Sequence, residues 1–218
     1  MRNRVYVIVE GQSEEEFVNQ MPACYLSKFK IYATPIIIRT SKNGRGGFVN
    51  YQHLRNDADR LLKSTKDDFL VTMFVDFFRC PELPQRELYE KIEDHSQRAD
   101  KMQECIGEDI RDRRFIPYIQ LHEFEALLYS SNKGFLSYFS EDQAKKTQQI
   151  VDSFPNPELI NSSPQKSPSK RLLEINSRYD KVTEGNLIAL EVGFETILEK
   201  CPRFRFWIER IIKGCSEG

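Results

Sequence analysis

The first eleven residues constrain this chain more than any other stretch. Arg4-Val5-Tyr6-Val7-Ile8-Val9 is an unbroken run rich in β-branched and apolar residues, which predicts a buried strand. Glu10 and Gly11 follow at once. The glycine lets the backbone turn sharply, and Ser13 with Glu16 fits a capping box opening a helix over residues 14–27. A strand that ends in an acid and turns tightly into a helix suits an open α/β sheet, where ligands gather beyond the carboxyl ends of strands. Glu10 is therefore the first candidate site residue; the alternative is an exposed loop acid.

The pattern recurs. Residues 69–75 are apolar at nearly every position, as a central strand covered on both faces requires, and Asp76 follows. Residues 115–121 predict a further strand, after which come His122, Glu123 and Glu125 as a helix begins. Acids at a helix start also suit the macrodipole, but that does not account for the coincidence with Glu10 and Asp76. Clustered carboxylates repel one another unless a cation lies between them, and an all-oxygen ligand set suits Mg²⁺ or Mn²⁺. Such an ion can activate water and stabilise a leaving oxygen in phosphoryl transfer. His122 is read as a proton shuttle or as a hydrogen-bonded core histidine.

Basic residues supply candidate backbone contacts. Residues 30–39 predict a second strand, with Pro35 marking an edge position or a bulge. The glycine-rich loop 40–48 then carries Lys42 and Arg45 beside Arg39. Its spacing is neither Walker A nor dinucleotide-binding, so it is a phosphate-contacting loop or a plain connection. Helices are expected over 51–62, 85–110, 141–153, 169–179, 187–200 and 202–213, with His95 on a solvated face. Residues 154–171 hold four prolines and end in Ser169-Lys170-Arg171. Cations in a first helical turn are unfavourable unless an anion or acid lies nearby, which points to phosphate or partner contact and makes Lys170 and Arg171 candidate contacts to a nucleic-acid backbone.

Bulk properties exclude several classes. With a net charge of −1, no global basic field marks a nucleic-acid binder, and any basic patch is local. The five cysteines are scattered without CxxC spacing, which argues against a disulfide framework or zinc site and predicts a reducing cytoplasm. No apolar run approaches the roughly 20 residues of a membrane span, and the opening strand leaves no place for a signal peptide.

Val9-Glu10-Gly11-x-x-Glu14, with Asp76 after a later strand, resembles the TOPRIM domain of topoisomerases, primases and OLD-type nucleases. A closer set covers nearly the whole chain: Val75-Asp76-Phe77-Phe78, the run from Gln120 through Leu128, Phe154-Pro155-Asn156-Pro157-Glu158, and Ser167-Pro168-Ser169-Lys170-Arg171-Leu172. It resembles a TOPRIM-like bacterial family of unassigned function, often encoded beside an ABC/OLD-type ATPase in phage-defence settings. The resemblance implies that Glu10 is a general acid/base or faces the metal, and that Asp76 is the first acid of a DxD motif. The second acid position is Phe78 here, and Glu123 or Glu125 is the expected substitute.

The expectation is an α/β, Rossmann-like TOPRIM domain over residues 1–130, with a mostly parallel four-stranded sheet. A helical C-terminal extension, 131–218, would pack on it. The expected function is Mg²⁺-dependent cleavage of DNA or RNA as the effector of an ATPase-linked defence system. The rival is a non-catalytic module that docks on the ATPase or on nucleic acid.

Overall fold

The computed structural model describes residues 2–40, 44, 46–64, 66, 68–78, 80–160 and 166–217; Lys42 and Arg45 lie outside them. The chain divides into two compact units, residues 1–121 with 208–218, and residues 122–207. No described helix is long and apolar enough to cross a membrane.

The first unit is α/β, and its sheet is parallel throughout. The apolar opening run forms β1 (Arg4–Val9), which pairs on one side with β2 (Tyr32–Ile37) and on the other with β3 (Phe69–Asp76). All eight residues of β3 are buried, because the sheet is covered on both faces. Val71, Met73 and Val75 join the core containing Leu54 and Ala58 of α3 (Tyr51–Leu62) and Met102 and Ile106 of α4 (His95–Ile110). On the opposite face Phe74 stacks against Phe17 of α1 (Gln12–Gln20), ring centroids 5.7 Å apart. Parallel pairing in register, Val9 opposite Phe74, brings the carboxyl ends of β1 and β3 out side by side. Pro35 sits opposite Val7 on β2, the edge strand of the sheet, where the missing N–H costs least.

Several elements differ from the sequence expectation for local reasons. The helix over 14–27 is two, α1 and α2 (Pro22–Ser27), since Pro22 cannot donate to the preceding turn. Helix α1 starts at Gln12 with Gly11 as its N-cap and no side-chain cap bond, so the Ser13–Glu16 capping box is not formed. Residues 85–94 are not helical beyond a short 3₁₀ turn; α4 begins where the Asp94 carboxylate accepts from the Gln97 N–H. The strand over 115–121 is two short pieces that both pair with β3, β4 (Phe115–Ile116) and β5 (Ile119–Gln120), interrupted at Pro117.

The second unit is helical. At its centre, Phe124–Ser130 forms a wholly buried 3₁₀ segment rather than the expected amphipathic helix. Its residues are apolar nearly all round, which suits a core segment better than a two-faced one. Around it lie α5 (Lys133–Tyr138), α6 (Glu141–Ser153), α7 (Pro168–Ile175), α8 (Thr183–Val192) and α9 (Phe194–Lys200). Helix α6 opens on a capping box, Ser140 with Gln143. The helix over 187–200 breaks at Gly193, whose φ of +87° favours glycine. Helix α5 was not expected from the sequence; Gly134 lets it approach α8 so closely that a Cβ there would lie 2.5 Å from the Ile188 carbonyl oxygen. Helix α10 (Pro202–Ser216) starts in this unit and ends in the first, where the Arg2 N–H donates to the Cys215 carbonyl.

Candidate functional site

The carboxyl ends of β1 and β3 carry the expected acids, and the structure brings them together. The Asp76 N–H donates to Glu10 Oε1 at 2.6 Å, across a separation of 66 residues. Both side chains are buried, Glu10 at 8% exposure and Asp76 at 3%. Glu14, one helical turn beyond the Gly11 turn, is buried too, with Oε2 3.5 Å from the place a Cβ on Gly11 would take. Sequence reasoning did not count Glu14 among the site acids, although its Glu-Gly-x-x-Glu spacing was the available signal.

The glycine-rich loop closes on this turn. The Gly47 N–H donates to the Glu10 carbonyl at 2.7 Å, and a Cβ on Gly46 would lie 3.5 Å from that oxygen. Both glycines have positive φ, +99° at Gly46 and +85° at Gly47, so their conformation is one other residues rarely adopt. Arg39 is exposed, and its N–H donates to the Asp57 carboxylate.

Just past Asp76, Phe77 and Phe78 meet His95 at the start of α4, ring centroids 5.2 and 5.8 Å apart respectively. His95 is thus packed against the strand exit rather than standing on a solvated face. Burial first, and then the charge of Glu10, pushes the Cys80 thiol well above its ordinary range, while Arg98 pulls it down. The Arg98 guanidinium lies over the Tyr89 ring.

The remaining expected acids belong to the second unit. The Glu123 carboxylate accepts from the Ser169 N–H at 3.0 Å and from the Ser169 hydroxyl at 2.7 Å, so it caps α7 from a distant segment. That is the acid which cations in the first turn of α7 require, Lys170 being exposed there and Arg171 half-buried. Glu125 is fully buried, with Lys181 Nζ 3.5 Å from its Oε2. His122 is buried in a left-handed backbone conformation, φ +68°. One acid the sequence reading did not single out behaves like Glu123. Glu158, fully buried, accepts from the Arg203 N–H at 2.9 Å and the Phe204 N–H at 3.1 Å, capping α10. Burial outweighs those two donors and raises its pKa from 4.5 to about 7.

Among the described residues no three or more His, Cys, Asp or Glu side chains are grouped so as to hold a metal ion. Glu10 and Asp76 stand at neighbouring strand ends, joined through the Asp76 amide, and two carboxylates are the protein share a hydrated Mg²⁺ commonly takes, with water and substrate phosphate completing the shell. The donor set fits that kind of open site and does not fit an all-protein cage.

No curated protein matches the chain. Among solved structures it is similar to the C-terminal region of the Xanthomonas campestris pv. campestris OLD protein, at 15% identity and a TM-score of 0.46 over 99% of this chain and 94% of that one. It is likewise similar to the C-terminal region of the Burkholderia pseudomallei OLD protein, at 16% identity and a TM-score of 0.46 over 99% of this chain and 100% of that one. Residues 9–212 match the family described as "Domain of unknown function (DUF4276)", and the chain belongs to that family.

Proposed function

We propose that the first unit is a TOPRIM-like nuclease centre that hydrolyses phosphodiester bonds of DNA or RNA with Mg²⁺ or Mn²⁺. The observation that carries this reading is the Asp76 N–H held on Glu10 Oε1, two buried carboxylates at the carboxyl ends of adjacent parallel strands. Glu10 and Asp76 would hold the ion, which when bound supplies Lewis-acid stabilisation of phosphate oxygens. The Asp76 amide fixes one oxygen of Glu10, so the carboxylate is oriented before substrate arrives. Glu10 would face that ion or accept the proton of the attacking water. Arg39 in the first unit, and Lys170 and Arg171 in the second, are proposed contacts to the nucleic-acid backbone, as are Lys42 and Arg45. The resemblance to ATPase-linked families supports an ABC/OLD-type ATPase partner and an antiviral role, and the scattered cysteines suit a cytoplasmic setting.

A second reading has its own observation. Phe78 stands where the DxD pattern has an acid, and it is packed edge-on against His95. That favours a non-catalytic module docking on the ATPase or on nucleic acid. Plasmid DNA and RNA incubated with Mg²⁺ or Mn²⁺ separate the two. Wild-type cleavage that Glu10→Ala reduces by roughly a hundredfold or more supports the nuclease, the scale expected when a general base is lost. Equal rates in the two proteins remove Glu10 from the mechanism, and no cleavage under any condition leaves the docking module.

A further inference from the structure

Between α6 and α7 of the second unit lies a cleft of about 310 Å³ lined by Lys146, Phe154, Arg171 and Glu174, with Ile150 and Ile175 adding apolar walls. Arg171 is held there in a fixed attitude. Its Nε–H donates to the Lys166 carbonyl at 2.9 Å, and its guanidinium lies over the Phe154 ring, 5.8 Å from the centroid. With Nε and one face of the plane engaged, the terminal Nη groups are the part left to meet a ligand, in the fork geometry that matches phosphate. Lys146 is exposed and makes no ion pair among the described residues, whereas its neighbour Lys145 pairs with Glu141 and Asp142.

We infer that this cleft seats one nucleotide of a single-stranded nucleic acid, its phosphate on Arg171 and Lys146 and its base against Phe154, Ile150 and Ile175. The inference deepens the nuclease reading and rests on it for the class of substrate. The apolar walls favour an unpaired strand, because a duplex presents phosphates while keeping its base faces stacked. The Arg171 guanidinium offers its outer face for stacking as well as its Nη groups for phosphate. Glu174 repels a second phosphate and can accept from an exocyclic amine, so the cleft suits one nucleotide rather than a run of phosphates.

The test is binding of a short fluorescein-labelled single strand, DNA and RNA in turn, in EDTA, by anisotropy at several salt concentrations. An unlabelled duplex of the same sequence is the competitor. Arg171→Gln is expected to weaken binding about tenfold and to reduce the salt slope by about 0.7, the loss of one phosphate contact on a single strand. Lys146→Gln, on an exposed side chain whose loss leaves the fold alone, weakens it by a smaller factor in the same direction. Lys145→Gln leaves affinity and slope as in the wild type. Wild-type affinity and slope in both Arg171→Gln and Lys146→Gln, equal competition by the duplex, or no binding by the wild type each overturns the inference. Failure here with Glu10-dependent cleavage intact removes the cleft and leaves the nuclease. Arg171-dependent binding without cleavage removes the nuclease and leaves the cleft.

Discussion

The two units use buried acids in opposite ways. In the first, Glu10 and Asp76 stand at the carboxyl ends of parallel strands, and the backbone around them is shaped to hold them there. In the second, Glu123 and Glu158 are spent on helix N-termini, each accepting two hydrogen bonds from a segment far along the chain. An acid facing a helix start meets partial positive charge and unsatisfied N–H groups, so it has a structural reason to be buried. Glu10 instead meets the Asp76 N–H at a strand end, beside a second acidic residue. Removing acids should therefore lower stability in the second unit and chemistry in the first.

The largest structural effect is expected at Glu158. Glu158→Ala leaves the buried Phe204 N–H and the part-buried Arg203 N–H without an acceptor, which should cost about 3 kcal/mol in urea unfolding. Its pH dependence sharpens the comparison. The folded-state pKa is raised, from 4.5 to about 7, so the folded protein holds its proton more tightly than the unfolded chain. The associated stability is fully present below pH 4.5 and is lost as pH rises through 7, a change of about 3 kcal/mol at 1.36 kcal/mol per pKa unit. Glu158→Gln should remove that slope between pH 4.5 and 7 from the urea midpoint. An unchanged slope would mean that Glu158 is not the group responsible.

Glu123→Ala comes next. It removes the cap of α7, and the expected loss is about 1–2 kcal/mol, read from thermal unfolding, with cleavage by the surviving fold retained. Loss of cleavage at unchanged stability would break the comparison, because Glu123 would then be chemical rather than structural.

A smaller effect is expected at the loop against Glu10. Gly46→Ala imposes a side chain at φ +99°, where the ordinary penalty is about 1 kcal/mol. The Cβ would meet the Glu10 carbonyl in ordinary contact, so the expected cleavage defect is modest and accompanied by a small drop in unfolding midpoint.

What the sequence made legible was local. β1, the Glu10-Gly11 turn, α3 and the apolar β3 ending at Asp76 are each written within a dozen residues, and the strand-exit reading of Glu10 and Asp76 needed only parallel pairing. What it hid was long-range. The partners of Glu123 and Glu158 lie 46 and 45 residues away, and no local pattern names them. His95 reads as one polar residue among many until Phe77 and Phe78 fold against it. Pro22 and Gly193 are local breakers, and the helices expected across them, 14–27 and 187–200, end or begin there. The segment at 124–130 misled in the other direction, because apolar residues on all sides indicate a buried segment without saying whether it is α or 3₁₀.

Binding of Mn²⁺, followed by the loss of its free electron paramagnetic resonance signal, tests the contrast between the two units most directly. The wild type and Glu158→Gln should take up the ion alike, while Asp76→Asn loses most of that uptake with its fold intact by circular dichroism. Equal uptake by Asp76→Asn and the wild type would contradict the assignment of the strand-exit acids to metal.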